Sequence, residues 1–181
     1  MPKYKGSGVI VLREMLGERT ELLETYLQQL SSEDRILFTA LLPATKLSIE
    51  DTERLMAPGF KLLWPNIPIE RQYIEFGKQL CRRHLLHGLY KKLWDMGFDS
   101  IVRKTNIVWR QYHDTGDLSA DGSAKSRKWV FTLSKFPTIS PLHFGLLIGF
   151  LLAAFESLNG SEPNYRKDVF DRDNLHVVIS W

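Results

Sequence analysis

The hydrophobic pattern of the chain is dominated by residues 144–155, a run without a polar side chain. Ser140 and Pro141 before the run are typical of a helix start, and Gly160 after it is typical of a left-handed helix stop. A helix that is apolar on every face must be enclosed by protein or by lipid. At ~1.5 Å per residue the run spans roughly 18 Å, short of the ~30 Å hydrocarbon core of a membrane. The pattern therefore predicts a buried helix over residues 141–158.

Small residues recur at every fourth position of this helix, at Gly145, Gly149 and Ala153. Each glycine costs about 1 kcal/mol relative to alanine inside a helix, so this small-residue stripe needs a reason. One explanation is close packing against a neighbouring helix or sheet, and the other is a wall for a flat apolar ligand. The sequence leaves both explanations open, and the place of Gly145 beside the capped start of the helix predicts that Gly145 is the more tightly packed of the two glycines.

The residues before this helix predict mainly further helices. Residues 9–16 fit either a short strand or the first turns of a helix, whereas leucine and tyrosine recur at helical spacing over residues 20–30. Acidic residues after Ser31 open another helix, and Ser48 starts a capping box. The longest predicted helix covers residues 69–96, and its interior stripe consists of Tyr73, Phe76, Gly77, Leu80, His84, His87 and Gly88.

The pattern changes after a cluster of turn residues over 114–123. Residues 128–134, 165–170 and 175–181 are rich in β-branched and aromatic side chains, and a four-residue polar turn joins the last two runs. With a further strand expected between residues 114 and 128, the resulting order is strand, strand, helix, strand, strand. We therefore predict an α+β fold, in which amino-terminal helices pack on an antiparallel sheet of about four strands and the apolar helix lies between them.

Length and composition fit one domain. The chain has 181 residues, 44% of them hydrophobic, which is enough for a single core and too little for two ordinary domains. We expect one domain over residues 1–181, mainly helical over residues 1–113 and β-β-α-β-β over residues 114–181. Residues 1–8 lack the apolar core of a secretory signal, so we expect a cytoplasmic protein.

Charge and cysteine content argue against several classes of binding partner and site. The formal net charge is +3, and Lys and Arg occur as short pairs between apolar residues, which argues against a nucleic-acid surface. Cys81 is the single cysteine, so no intramolecular disulfide forms. Cys81, His84 and His87 follow one another in three-residue steps, which is not the ligand spacing of a zinc site. We expect no metal, no nucleic acid and no membrane span.

Two short combinations could in principle support catalysis. His113 and Asp114 could form an acid–base pair beside Tyr112, and Ser140 precedes His143 by three residues. Neither combination has the full set of nucleophile, base and orienting group. Turn and helix-cap roles explain these residues better, so we expect no enzyme activity.

Two segments and the closing strand carry a resemblance to known proteins. The segments are GKQLCRRHLLHGLYK over residues 77–91 and VWRQYHDTGDL over residues 108–118, and the strand ends at Trp181. They resemble an uncharacterised bacterial domain family that is similar to the heme-NO-binding domain, the 4-vinyl reductase small-molecule-binding domain and the palmitoyl-pocket subunits of the TRAPP tethering complex. The resemblance implies a mixed helix-and-sheet fold that holds or senses a small apolar ligand, often as a dimer.

The same resemblance raises the question of whether this chain has the residues that bind heme. Heme-NO-binding domains carry a Tyr-x-Ser-x-Arg motif that grips the heme propionates. The nearest candidate here, Tyr165-Arg-Lys-Asp-Val169, has neither the serine nor the arginine in register. His84 and His87 fit hydrogen-bonded core positions better than heme ligation. We therefore expect no cofactor.

The predicted function is a non-catalytic domain that binds or senses a small hydrophobic or planar molecule and acts through a homodimer on a signalling partner protein. The alternative is a protein–protein interaction module with a fully packed core and no ligand. The ligand would lie between the two long helices and the sheet. The candidate pocket residues are Tyr73, Phe76, Leu80, His84, His87, Trp109, Gly145, Gly149 and Ala153.

Overall fold

Helices occupy most of the amino-terminal part of the chain and strands most of the remainder. The computed structural model describes residues 2–85, 98–136, 140–170 and 174–181. The helices are α1 (Ser7–Gly17), α2 (Thr20–Gln29), α3 (Ser32–Ala40), α4 (Ile49–Leu63), α5 (Ile69–Leu85), α6 (Phe98–Arg103), α7 (Thr105–Tyr112) and α8 (Pro141–Asn159). The strands are β1 (Lys3–Lys5), β2 (Lys46–Ser48), β3 (Asp117–Ser123), β4 (Lys128–Ser134), β5 (Asn164–Phe170) and β6 (Leu175–Ser180).

The main sheet has the strand order β3-β4-β6-β5, and every neighbouring pair is antiparallel. Alternate side chains of the two central strands are buried, as in Trp129 and Phe131 of β4 and Val177 and Ile179 of β6. This period of two gives the sheet one apolar face, which α8 covers. Phe155 of α8 contacts Phe131 with ring centroids 5.8 Å apart. The predicted α+β fold with the order β-β-α-β-β is confirmed.

Helix α8 begins and ends where the sequence predicts. The Ser140 hydroxyl accepts a hydrogen bond from the backbone N–H of His143 at 3.1 Å, and Gly160 ends the helix with a φ of +73°. Leu142–Asn159 is long and apolar enough to cross a membrane by length and composition, but 56% of it is buried inside the protein. The prediction of a protein-enclosed helix is therefore confirmed.

The small-residue stripe of α8 faces α5. A Cβ atom on Gly149 would lie 1.9 Å from the carbonyl oxygen of Ile74, and one on Gly77 would lie 2.2 Å from the carbonyl oxygen of Leu146. Gly145 approaches Tyr73 in the same way, since a Cβ atom there would lie 2.7 Å from the Tyr73 Cβ. Residue numbers rise together along both helices, so α5 and α8 run parallel. The glycines thus allow two helix backbones to meet without intervening side chains.

The predicted long helix over residues 69–96 is described only as far as Leu85, and the rest lies outside the described residues. Residues 9–16, which fitted either a strand or a helix, belong to α1. Strands β1 and β2 form a second, two-stranded sheet that the sequence pattern did not predict, because each has only three residues. This small sheet fixes the position of Tyr4.

Candidate functional site

An apolar cavity with a volume of about 90 Å³ lies between α7, α8 and the inner face of the main sheet. Aliphatic and aromatic side chains from all three elements line it, among them Val108, Leu118, Phe131, Leu147, Leu151 and Phe155. The half-buried residues Lys104 and Thr105, at the start of α7, also contribute to its wall. Tyr4, His113 and His143 bring polar atoms to the cavity while remaining buried.

Helix α7 positions His113 at its carboxyl end. The Trp109 indole stacks on the His113 ring with centroids 3.6 Å apart and an interplanar angle of 7°. The indole N–H of Trp109 donates to the carbonyl oxygen of Thr115 at 2.8 Å, which holds the ring in place. The chain then turns at Gly116, where φ is +80° and a Cβ atom would lie 2.7 Å from the Phe136 ring. A residue other than glycine would be strained at this turn.

Strand β1 carries Tyr4 to the same place from the start of the chain. Tyr4 forms an antiparallel bridge with His113, and the backbone N–H of Lys3 donates to the Asp114 carboxylate at 2.8 Å. Asp114 therefore anchors β1 and does not pair with His113. The His113–Asp114 acid–base pair, which the sequence already disfavoured, has no support in this geometry. The Ser140 hydroxyl likewise donates to the Glu53 carboxylate while it caps α8.

His113 and His143 face each other across the cavity wall. Their Nε2 atoms are 2.8 Å apart, and the Tyr4 ring lies 5.1 Å from the His113 ring and 5.3 Å from the His143 ring. Burial lowers the pKa of His143 to about 4. Burial, and secondarily the neighbouring His143, hold the pKa of His113 well below its ordinary value. Both imidazoles are therefore neutral near pH 7.

The predicted pocket residues occupy three different places. Leu80 and Trp109 line the cavity. Tyr73 and Phe76 pack against Phe60 with ring centroids 4.8 and 4.6 Å away. The small-residue stripe lies on the opposite face of α8, where Gly145 and Gly149 meet α5 and Ala153 meets Cys81. The side chain of His84 and the whole of His87 lie outside the described residues.

Sequence reasoning missed Tyr4, His113 and His143 as pocket residues. His113 lies inside the 108–118 segment that carries the resemblance, and His143 closes the apolar run of α8. A histidine at the border of an all-apolar helix is a usable signal, because a polar ring there must find a buried partner. Tyr4 gave no such signal, since its strand is three residues long.

Comparison with known proteins shows what this geometry resembles. No family model matches the sequence, and no curated protein matches it. Among solved structures, an H-NOX protein from S. oneidensis in the Fe(II)NO ligation state is 16% identical, with a TM-score of 0.66 over 97% of this chain and 98% of that one. An H-NOX protein mutant from K. algicida, in the Fe(II) unliganded state, is 10% identical, with a TM-score of 0.70 over 97% and 95%.

A third structure, whose subject is heme redox potential and porphyrin distortion, is 12% identical with a TM-score of 0.61 over 97% of both chains. This chain has an H-NOX-like fold. The resemblance to the heme-NO-binding domain is thereby confirmed at the level of the fold. Identities of 10 to 16% carry the fold and nothing finer.

The prediction of no cofactor is wrong in the light of these neighbours. They include a protein studied for its heme redox potential and proteins described by the state of their ferrous iron, so the neighbours of this fold do not support the expectation of no cofactor. The motif departure at residues 165–169 was too local a basis for excluding it. In the structure, Arg166 pairs with Asp168 on the exposed side of β5.

The cavity as described does not fit a porphyrin. Its volume is about 90 Å³, whereas sites for drug-sized ligands measure roughly 300 to 1,000 Å³. The Nε2 atoms of His113 and His143 are also occupied by each other. Molecules much smaller than a porphyrin, such as those with a single aromatic ring, suit this space better.

Proposed function

We propose that this chain is a non-catalytic, ligand-binding sensory domain that takes a small, mainly apolar molecule into the cavity between α7, α8 and the sheet. The observation that carries the proposal is the cavity itself, because an apolar space with a few convergent polar groups is the usual form of a small-molecule site. The H-NOX-like fold supports the same class, since one neighbour is described with nitric oxide on its iron. The alternative, an interaction module with a fully packed core, leaves the cavity without a role.

Toluene is a suitable probe for this proposal. We expect it to raise the unfolding temperature and to shift methyl resonances of Val108, Leu118 and Leu147 in NMR spectra. A ligand that binds only the folded state stabilises it by ~2.7 kcal/mol when its free concentration is 100-fold above Kd. An unchanged unfolding temperature together with unchanged methyl spectra would contradict the proposal.

Two matched variants of α8 test whether toluene binds in the cavity. Ala154 lines the cavity, whereas Ser157 is an exposed residue of the same helix. We expect Ala154→Phe to fill the cavity and abolish the response to toluene, and Ser157→Phe to retain it. Hemin belongs in the same series, because the neighbours point to heme. A stoichiometric Soret band would mean that the walls separate to admit a porphyrin.

We further propose that residues 1–181 act as one domain, through a homodimer that contacts a signalling partner in the cytoplasm. The resemblance to dimeric ligand-binding proteins supports the dimer. Sedimentation equilibrium is expected to give a mass near twice the 21.0 kDa of the chain. A species that stays at the mass of one chain at high concentration would contradict it.

A further inference from the structure

The hydrogen bonds of the two buried histidines determine which nitrogen atoms carry protons. The Nδ1 of His113 lies 3.4 Å from the carbonyl oxygen of Trp109. A carbonyl oxygen only accepts, so this Nδ1 carries the proton of the neutral His113 ring. The Nε2 of His113 is then an acceptor, and the Nε2 of His143, 2.8 Å away, must be the donor. A neutral ring has one N–H, so the Nδ1 of His143 carries a lone pair.

That lone pair has no hydrogen-bond partner within the described part of the chain. His143 is 2% exposed and its ring forms part of the cavity wall. The backbone N–H of His143 already donates to the Ser140 hydroxyl at 3.1 Å. The atom of His143 that lacks a hydrogen-bond partner among the described residues is therefore the ring Nδ1. A buried acceptor without a donor is unfavourable, and native proteins rarely retain one without a reason. An incoming ligand that donates a hydrogen bond would remove this cost.

Resting on the proposed function, we propose that the cavity selects small apolar molecules that carry one hydrogen-bond donor, such as a phenol or an indole, and that Nδ1 of His143 accepts this donor. The apolar walls take the hydrocarbon part of the ligand, and the imidazole takes its O–H or N–H. The Tyr4 hydroxyl contributes less to this selection, because it lies against α1, where a Cβ atom on Gly8 would be 2.4 Å from it.

Selectivity follows from a comparison of two molecules of nearly equal size. Phenol and toluene differ only in a hydroxyl against a methyl group. A purely apolar cavity favours toluene, because phenol loses its hydrogen bonds to water on entering. A cavity with an unpaired acceptor instead favours phenol, because toluene leaves that acceptor buried and unpaired. The sign of the preference therefore reports whether the acceptor faces the ligand.

The test measures the dissociation constants of both probes by calorimetry. We expect the wild-type protein to bind phenol on the order of tenfold more tightly than toluene. The double variant His113→Phe, His143→Phe, which has no imidazole at the cavity, is expected to reverse this order. Ser157→Phe, on the exposed side of α8, is the control, and it should keep the preference for phenol.

A second readout does not depend on the variants being folded. In protein labelled with ¹⁵N-histidine, the unprotonated Nδ1 resonance of His143 should move on addition of phenol and stay in place on addition of toluene. If toluene binds at least as tightly as phenol, or if phenol binds without moving this resonance, the proposed selectivity is wrong while the ligand-binding function stands. If neither probe binds, both are wrong.

Discussion

Gly149→Leu is expected to destabilise the protein by about 3 kcal/mol or more, at the upper end of the range for overpacked cores. The reason is that a Cβ atom at this position would lie 1.9 Å from the carbonyl oxygen of Ile74, which is backbone and cannot rotate away. The larger side chain can be accommodated only if α5 and α8 move apart. That movement would open the contact between α5 and α8, which is the most extensive helix–helix contact among the described residues.

Urea unfolding of the purified variants measures this effect. Gly17→Leu is the matched control, because Gly17 ends α1 and a Cβ atom there meets nothing within 4 Å. We expect Gly17→Leu to change the free energy of unfolding only slightly. Wild-type stability in Gly149→Leu would show that the stripe faces open space, as the ligand-wall explanation requires.

The small-residue stripe shows where sequence reasoning stops. The spacing of Gly145, Gly149 and Ala153 predicts a smooth face of α8, but close packing and a ligand wall require the same residues. The position next to the helix start suggested that Gly145 is the tighter site. The structure reverses this order, because Gly145 meets a side-chain atom of Tyr73 while Gly149 meets the backbone of α5. Which glycine is more tightly packed depends on the path of α5 relative to α8, and the sequence of α8 alone does not specify that path.

The fold itself was more accessible than the site. Local signals predicted α8 with its caps, and alternation predicted β6, because periodicity and capping act within a few residues. The cavity instead joins Tyr4, His113 and His143 from three distant parts of the chain. Each is unremarkable in its own segment, and their contact depends on the packing of β1, α7 and α8.

The buried histidine pair also makes stability depend on pH. In the unfolded chain each histidine has a pKa near 6.5, whereas burial lowers that of His143 to about 4 and that of His113 well below its ordinary value. Between those values the unfolded state binds more protons than the folded state. The free energy of unfolding therefore falls as the pH is lowered from about 6.5 toward 4, and is unaffected by this pair above pH 6.5.

Each histidine contributes a slope of at most ~1.4 kcal/mol per pH unit in this window. Aromatic rings of Tyr4, Trp109 and Phe136 contact the two imidazoles and shield them from water. Urea unfolding at pH 7.5, 6.5, 5.5 and 4.5 should show the loss in the wild-type protein. The double variant His113→Phe, His143→Phe keeps every carboxylate, so the difference between the two curves isolates the histidines. Parallel curves for the two proteins would mean that the imidazoles titrate normally in the folded state, and the assignment of a neutral, buried pair would then fail.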